Sequence, residues 1–550
     1  MGLFKIKGAF FFSLWAAVAS LFGEIEEKNQ NYLLYLASSG YVEKALSFLP
    51  HFYQTKDYAF LQNLALLILE SGLKSEKTEE SRLTLYGAGV ALSTHSLRIL
   101  EKGLFSPDLP SQLIALHYLS LLQDSKSDYL IKKALGSDFL EVRAEALFHL
   151  CLKKDPMALG QMEALRGKLP AFFKPFFPQF LALIGTPEAA FHLKHYLSDE
   201  NPEARLEAIL SIAKHKREEL LFYLKKRFKE ASNPEKEALL WAFGAFGDTL
   251  YLPEFKELAE QGNLNLQIRS ILTLNQLGEK RFNRLLLQKA KEGELLAISA
   301  CAFLTESTSL LKELALSPNL QVKINAALAL LEKKAEGGLA AILEILTSNL
   351  FLEPHFSSGR TLRYVQAYST YLPTIDPEIS LQLKEALLKA ALELKENTFL
   401  EIAEKLIEKE KTELMPALFR LLENLKTPAA VKLLKTASQS SLPIIRICAH
   451  LALFRLEEKG PSETFLCEWI EEEAALAKIK LKNFDTASKH YDQSQFELSG
   501  DELSRLFLEI LSSFVEKHSS KAPELLLKAM VLSPKCNRYP LSGLLLRSTE

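Results

Sequence analysis

A similar pattern of hydrophobic and polar residues recurs along this chain at intervals of roughly thirty residues. The segments 201–210, 233–242 and 265–274 begin 32 residues apart, and a fourth segment at 319–328 follows a less regular unit. Each segment starts with Asn and continues with apolar residues at helical spacing. A repeat of this length is typical of stacked helical hairpins, because one hairpin cannot bury its apolar face alone.

The repeated columns predict where the helices begin. An Asn side chain accepts a hydrogen bond from an unpaired amide at a helix start, and Pro is tolerated at the first helical position. The predicted N-cap residues are Asn201, Asn233, Asn265 and Asn319. A basic or polar residue stands in register within the first helices, at Gln112, Arg143, Arg205 and Arg446.

Other columns predict the helix faces and ends. Alanines three positions after the basic column would form a narrow seam against a neighbouring helix, while Glu207 would face water. The seam residues are Ala146, Ala208 and Ala326. The glycines expected to end first helices are Gly185, Gly247 and Gly278. A second helix follows at once, as at Thr186-Pro187 and Thr427-Pro428.

On these features the sequence resembles the HEAT family, in particular the short bacterial HEAT-like repeats first noticed in phycobilisome lyases. The resemblance lies in the N-x-x-[VIA]-[RK] entry, the A-[LI] pair, the Gly turn and the short second helix, and it covers about residues 80–346. It implies an all-α fold, an α–α superhelix forming a right-handed helical-repeat solenoid.

The pattern divides the chain into segments. The predicted segments are a signal peptide at 1–19, N-terminal hairpins at 20–104, a HEAT-like array at 105–346, a linker or elaborated loop at 347–376, a second array at 377–482, and a C-terminal helical cap and tail at 483–550. The stretch 32–48 resembles a single tetratricopeptide hairpin, and an ordinary capping hairpin fits it equally well.

Composition supports helices and limits the function classes. The chain carries 66 basic and 68 acidic residues and is 48% hydrophobic, which excludes a disordered or strongly basic protein and disfavours nucleic acid as a partner. Only nine residues are Val, and with 23 Gly and 22 Pro in 550 residues the turn-rich all-β classes are disfavoured.

The first residues have a secretory pattern. Lys5 and Lys7 precede an apolar run, and Ala17-x-Ala19 provides the small residues of a cleavage site before Ser20. We therefore expect a periplasmic or secreted protein with no membrane span after signal removal. The alternative is an uncleaved anchor, for which the run is short.

Chemistry-bearing motifs are scarce. His192 and His195 are three residues apart, but no carboxylate or Cys completes a metal-ligand set, and solvated histidines are the alternative that we favour. The five cysteines allow one disulfide, Cys448 with Cys467, or buried free thiols. The sequence has no G-x-S-x-G, phosphate-loop, G-x-G-x-x-G or H-E-x-x-H motif. We accordingly predict no catalytic residue, cofactor or metal.

Three clusters are candidate binding sites, each with a structural alternative. The aromatic cluster includes Phe173, Phe176 and Phe177, which could instead be core. The tyrosine cluster comprises Arg360, Arg363, Tyr364, Tyr368 and Tyr371, whose spacing could equally reflect a helix that restarts after the linker. The basic cluster comprises Lys216, Arg217, Lys225, Lys226 and Arg227, which could be a solvated helix face.

The function expected from the sequence is an exported, non-catalytic scaffold that binds one or more protein partners, because stacked hairpins expose an extended surface. One alternative is a carrier or receptor module that binds an anionic ligand through the basic cluster. The other is an enzyme subunit with an unrecognised site.

Overall fold

The computed structural model of the protein describes residues 29–49, 57–168, 173–348, 351–355, 367–371, 377–458, 460–481, 498–499 and 502–549. The fold class is all-α, as predicted, with neighbouring helices packed as in an α–α superhelix of helical repeats. Within those ranges, β structure is confined to two antiparallel pairs of short strands. The predicted signal peptide lies outside the described residues, so export stays a prediction.

The chain forms two compact units. The first unit combines residues up to His149 with those from Gly460 onward, and the second is Leu150–Lys459. The helices in the N-terminal part of the first unit are α1 (29–38), α2 (Val42–Phe48), α3 (Tyr58–Gly72), α4 (Thr78–Val90), α5 (Leu97–Leu104), α6 (Leu109–Leu121), α7 (Ser125–Ala134) and α8 (Leu140–Leu152), which contains the boundary.

The second unit contains most of the repeats. Its helices before the first strand pair are α9 (Met157–Arg166), α10 (Phe176–Ile184), α11 (Pro187–Tyr196), α12 (Pro202–Lys214), α13 (Leu221–Arg227), α14 (Asn233–Phe246), α15 (Leu252–Gln261), α16 (Leu264–Gln276), α17 (Asn283–Lys291), α18 (Leu295–Ala300), α19 (Thr308–Leu314), α20 (Leu320–Glu332) and α21 (Leu339–Thr347). Strands β1 (Phe351–His355) and β2 (Ala367–Tyr371) follow, and then α22 (Pro377–Ala391), α23 (Glu396–Glu408), α24 (Met415–Leu425), α25 (Pro428–Ala437) and α26 (Pro443–Arg455).

The C-terminal part of the chain completes the first unit. It contains α27 (Ser462–Glu473), β3 (Lys480–Leu481), β4 (Leu498–Ser499), α28 (Glu502–Glu516), α29 (Ala522–Leu532) and α30 (Arg538–Ser548). Among the described residues, no single helix is long and apolar enough to cross a membrane. The bent pair Leu295–Phe303 and Thr305–Leu314 has the necessary length and composition only when its two parts are taken together.

The repeats stack through their first helices. In the second unit α10, α12, α14 and α16 pack each on the next, and α18 packs on α20. The second helices lie against these, with α11 on α12, α15 on α16 and α19 on α20. The first helices are thereby covered on several sides.

The predicted linker or loop at 347–376 contains the first strand pair. Phe351 lies opposite Tyr371, and His355 opposite Ala367. Strand β2 packs against α18 and α20, while β1 packs against α22. The pair therefore lies beside first helices on both sides of the interruption.

Two of the four predicted Asn caps are confirmed. The Asn201 side chain accepts hydrogen bonds from the amides of Glu203 and Ala204, and Asn319 does the same at α20. The other two assignments are wrong by one or two residues. Helix α14 is capped by Ser232, which forms a reciprocal capping box with Glu235, and α16 is capped by Asn263. In both of these segments a second residue able to cap a helix lies just before the predicted Asn, and the local sequence does not decide which of the two residues is the cap.

The predicted glycine ends are confirmed. Gly185 and Gly247 are C-cap residues in the left-handed conformation, with φ of 74° and 69°. Gly278 has φ of 92° and follows the C-cap of α16. The Thr-Pro starts are also confirmed, because Thr186 caps α11 and Thr427 caps α25.

The predicted burial of the alanine seam is confirmed, but the prediction that Glu207 faces water is wrong. Ala146, Ala208 and Ala326 are fully buried. Glu207, expected in water, is only 2% exposed, and its carboxylate accepts a hydrogen bond of 2.9 Å from the Gln179 amide nitrogen on α10. Because α12 packs against α10, α11 and α14, its polar positions are covered as well.

The basic column has a structural role that is the same in several repeats. Each of four side chains donates to the backbone carbonyl six residues earlier, in the turn that leads into its own helix. The pairs are Gln112 with Ser106, Arg143 with Ser137, Arg205 with Asp199, and Arg446 with Ser440. These bonds satisfy carbonyls that the turn leaves free of helical partners.

Arginines also connect consecutive first helices. Arg82 on α4 binds both oxygens of Asp108, the N-cap of α6, at 2.9 and 2.7 Å. Arg205 on α12 donates to Glu235 in the first turn of α14 at 2.5 Å. Burial opposes the ionisation of Glu235, but hydrogen bonds from Arg205 and the Ser232 amide, with the charge of Arg227, lower its pKa below the ordinary value.

The two ends of the chain meet in the first unit, which the sequence did not indicate. Helix α30 packs against both α3 and α4. The α30 and α4 backbones approach so closely that a Cβ on Gly543 would collide with the Gly87 carbonyl. Hydrogen bonds reinforce this contact, because Tyr539 donates to Glu80 at 3.3 Å and Gln62 donates to the Thr549 carbonyl at 3.2 Å.

Replacing Glu235 by Gln should destabilise the protein by about 2 kcal/mol at neutral pH, and the loss should shrink in acid. Since folding lowers the pKa of Glu235, its ionised form contributes stability above the pKa of an unfolded Glu, and this is lost as pH falls through the folded pKa. Thermal unfolding of both proteins as a function of pH measures the difference. The exposed Glu257→Gln is the control, and a difference that is the same at every pH would contradict the assignment.

Replacing Gly543 by Ala should destabilise the first unit by about 1–3 kcal/mol, because the added methyl group has no space against Gly87. The matched control is Gly160→Ala in α9, where an added Cβ meets nothing within 4 Å and Ala is the better helix former. Denaturant unfolding should show a loss for the first variant and no loss for the second. Equal stabilities would show that the close packing of α30 on α4 is not required.

Candidate interaction surface

The aromatic cluster predicted as a partner-binding site lies mostly in the core. Phe173 is 7% exposed and Phe177 is 1% exposed, while Phe176 is half-buried. Phe173 packs on Phe176 and Phe177 packs on Phe180, with ring centroids 6.0 and 6.4 Å apart. The structural alternative therefore holds for Phe173 and Phe177. Helix α10, which carries Phe177, is covered by α9, α11 and α12.

The tyrosine cluster is not helical where the structure describes it. Tyr368 and Tyr371 lie in β2, opposite Pro354 and Phe351 of β1. The helical spacing of these tyrosines is thus a wrong guide to the local structure. Arg360, Arg363 and Tyr364 lie outside the described residues.

Most of the basic cluster is neutralised within the protein. Lys216 donates to the Ala245 carbonyl and lies over the Phe246 ring. Three of the cations form ion pairs: Arg217 with Glu219 at 2.5 Å, Lys225 with Asp248 at 2.5 Å, and Arg227 with Glu235 at 3.4 Å. Lys216 and Lys226 are exposed, and Lys226 is the one of the five with no ion pair or side-chain hydrogen bond to a residue that the structure describes. Lys225 and Arg227 hold α13 to neighbouring elements through these pairs. The geometry therefore gives the anionic-ligand hypothesis no support at the basic cluster.

A different surface extends over three consecutive second helices. We name it the aromatic–lysine surface, made of Glu163 and Arg166 on α9, Phe191, His192, Lys194 and His195 on α11, and Phe222 and Tyr223 on α13. At its centre the Lys194 ammonium lies 5.2 Å from the Phe191 ring centroid and 4.8 Å from that of Tyr223. This cation is therefore held between two helices by π faces.

The histidines are part of the same surface. His192 Nδ1 lies 3.1 Å from Glu163 Oε1, which ties α11 to α9. The His195 ring packs edge-on against Phe191, with centroids 4.8 Å apart. No group of three or more metal-ligating residues occurs in the part of the chain that the structure describes.

Helix periodicity explains why these side chains face outward. Residues 191, 194 and 195 share one face of α11, whereas Ala190 and Leu193 point into the core. On α13 the buried residue is Leu224, and Phe222 is on the other side. As a result Phe191 is 57% exposed and Phe222 is 64% exposed. Large exposed rings that cluster in this way are typical of interaction sites.

Sequence reasoning singled out the two histidines but missed the aromatic rings beside them. A signal was present, because Phe222 falls on the opposite side of the helix from Leu220, Leu224 and Phe228, which are apolar at helical spacing and are buried in the structure. The alignment of α9, α11 and α13 into one surface was not visible, since their register depends on how the first helices stack.

The buried thiols of Cys151 and Cys301 are poor candidates for a reactive centre. All five cysteines are free. Burial raises the pKa of Cys151 and that of Cys301 to about 12, so both are protonated at neutral pH and are poor nucleophiles.

No protein-family model matches the sequence. No curated protein matches it either. The resemblance to HEAT repeats therefore stays a prediction from the repeated columns, and the aromatic–lysine surface has to be interpreted from its own geometry.

Proposed function

We propose that this chain is a non-catalytic protein-interaction scaffold that binds a partner through the aromatic–lysine surface. The observation that carries the proposal is the pair of exposed rings, Phe191 on α11 and Phe222 on α13, beside the Lys194 cation that is held between the two helices. The proposal includes export, which rests only on the signal pattern of residues 1–19.

The chemistry of the surface suits protein recognition. Phe191 and Phe222 offer large apolar area at a low cost in side-chain entropy, and such rings are frequent energetic anchors of interfaces. Lys194 and Arg166 add donors for carboxylates or carbonyl groups. Because Glu163 is already paired with His192 and Arg166, the surface favours a partner with apolar and acidic side chains.

The rigidity of the surface supports the same function. The helices beneath it are fixed by buried residues, with Leu193 and Leu224 completely inaccessible to solvent. A partner that spans α9, α11 and α13 would contact three repeats at once, as is typical of helical-repeat scaffolds. Preorganised anchors reduce the entropy lost on binding.

Photo-crosslinking in the cells that produce the protein tests the proposal. A photoreactive phenylalanine analogue replaces Lys226, which is exposed one turn from Phe222 on α13. We expect a discrete crosslinked product from this position, and its loss when Phe191→Ala and Phe222→Ala are combined. Each substitution should weaken binding by about 1 kcal/mol or more, roughly fivefold.

The matched control carries the same analogue in place of Lys291, an exposed residue at the end of α17. Crosslinking of the same product from both positions would overturn the proposal. So would a product that the double alanine variant leaves unchanged, provided that both proteins unfold at the same temperature.

A further inference from the structure

A second surface feature, separate from the aromatic–lysine surface, lies along α25. It is an open cleft of about 770 Å³, lined among others by Lys426, Pro428, Val431, Lys432, Lys435 and Glu458. All of these residues belong to the second unit.

The helix geometry brings three lysines to this cleft. Pro428, Val431, Lys432 and Lys435 stand at positions i, i+3, i+4 and i+7 and so share one face of α25. The opposite face is the core face, with Ala430, Leu434 and Ala437 buried. The third lysine, Lys426, precedes the helix.

The backbone sets the position of Lys426. This residue ends α24 in the left-handed conformation, with φ of 55°. Thr427 follows directly and caps α25 by accepting a hydrogen bond of 3.3 Å from the Ala430 amide. Lys426 therefore lies at the amino end of α25, where the helix dipole adds further positive potential.

The positive charge of the cleft is only partly neutralised. Lys426 and Lys432 are exposed and make no ion pair or side-chain hydrogen bond with any residue that the structure describes. Lys435 pairs with Glu458 at 2.7 Å, and Glu458 is the one carboxylate in the lining. Three ammonium groups thus face one carboxylate, in contrast to the basic cluster around α13.

We propose that this cleft binds a small anion whose carboxylate or phosphate group lies next to an apolar part. The anion contacts Lys426 and Lys432, whose ammonium groups are point charges that can donate hydrogen bonds to a carboxylate or to a phosphate. The apolar part lies against Pro428 and Val431. Lys435 joins only when its bond to Glu458 is released. This inference does not depend on the proposed scaffold function.

The test titrates the full-length protein with inorganic phosphate and, separately, with succinate, at constant ionic strength. Binding is followed by the thermal unfolding midpoint and by the line width of the ligand resonance. We expect saturable binding in the millimolar range. Phosphate and succinate identify which oxyanion the cleft prefers.

Charge variants locate the site. Lys426→Gln and Lys432→Gln should each weaken binding about two- to fivefold, the range measured for partly exposed ion pairs. Glu458→Gln should strengthen it by a similar factor, because Lys435 is then free and the like-charged carboxylate is gone. Lys291→Gln on α17 removes one exposed positive charge elsewhere and should have no effect.

Two results would overturn the proposal. One is the absence of saturable binding of both anions in the native protein. The other is binding that Lys291→Gln weakens as much as Lys432→Gln does, since this would be a response to net charge. Because the lysine side chains are exposed, their variants should fold normally. Glu458 is partly buried, and unchanged unfolding midpoints without ligand would verify the folding of every variant.

Discussion

The structure depends on one constraint, namely that a single helical hairpin cannot bury its own apolar face. Each first helix of the second unit therefore packs between the first helices before and after it, and the second helices cover it from the side. Small residues such as Ala208 allow the close approach. The same covering explains why polar groups on these helices are bound internally, as Glu207 is by Gln179 and Glu235 is by Arg205.

This arrangement leaves the outer faces of the second helices exposed to solvent. The aromatic–lysine surface lies on α9, α11 and α13, and the cleft that is lined by Lys426, Lys432 and Lys435 lies along α25. Both consist of outward-facing residues on helices whose other face is firmly packed. The two surfaces differ in chemistry, because Lys194 is held by aromatic rings whereas Lys426 and Lys432 lie open to solvent.

A stack of repeats also has to protect its terminal helices from solvent. In the first unit, α30 covers the N-terminal hairpins by packing on α3 and α4. Gly543 and Gly87 lie where α30 and α4 approach each other most closely. Helices from opposite ends of the chain thus share one core. Stability of the N-terminal helices therefore depends on residues more than four hundred positions away.

The sequence by itself determined the features that depend on neighbouring residues. Caps such as Asn201 and Thr427 and the turn at Gly185 follow from hydrogen bonding and backbone preferences within a few residues. The fold class follows from the repeat of this pattern about every thirty residues. Tertiary structure decided which faces are covered. Glu207 and Phe177 are buried because helices from neighbouring repeats pack against them, whereas no helix in the described part of the chain covers Phe222. Burial depends on contacts between distant residues, and no local pattern specifies it.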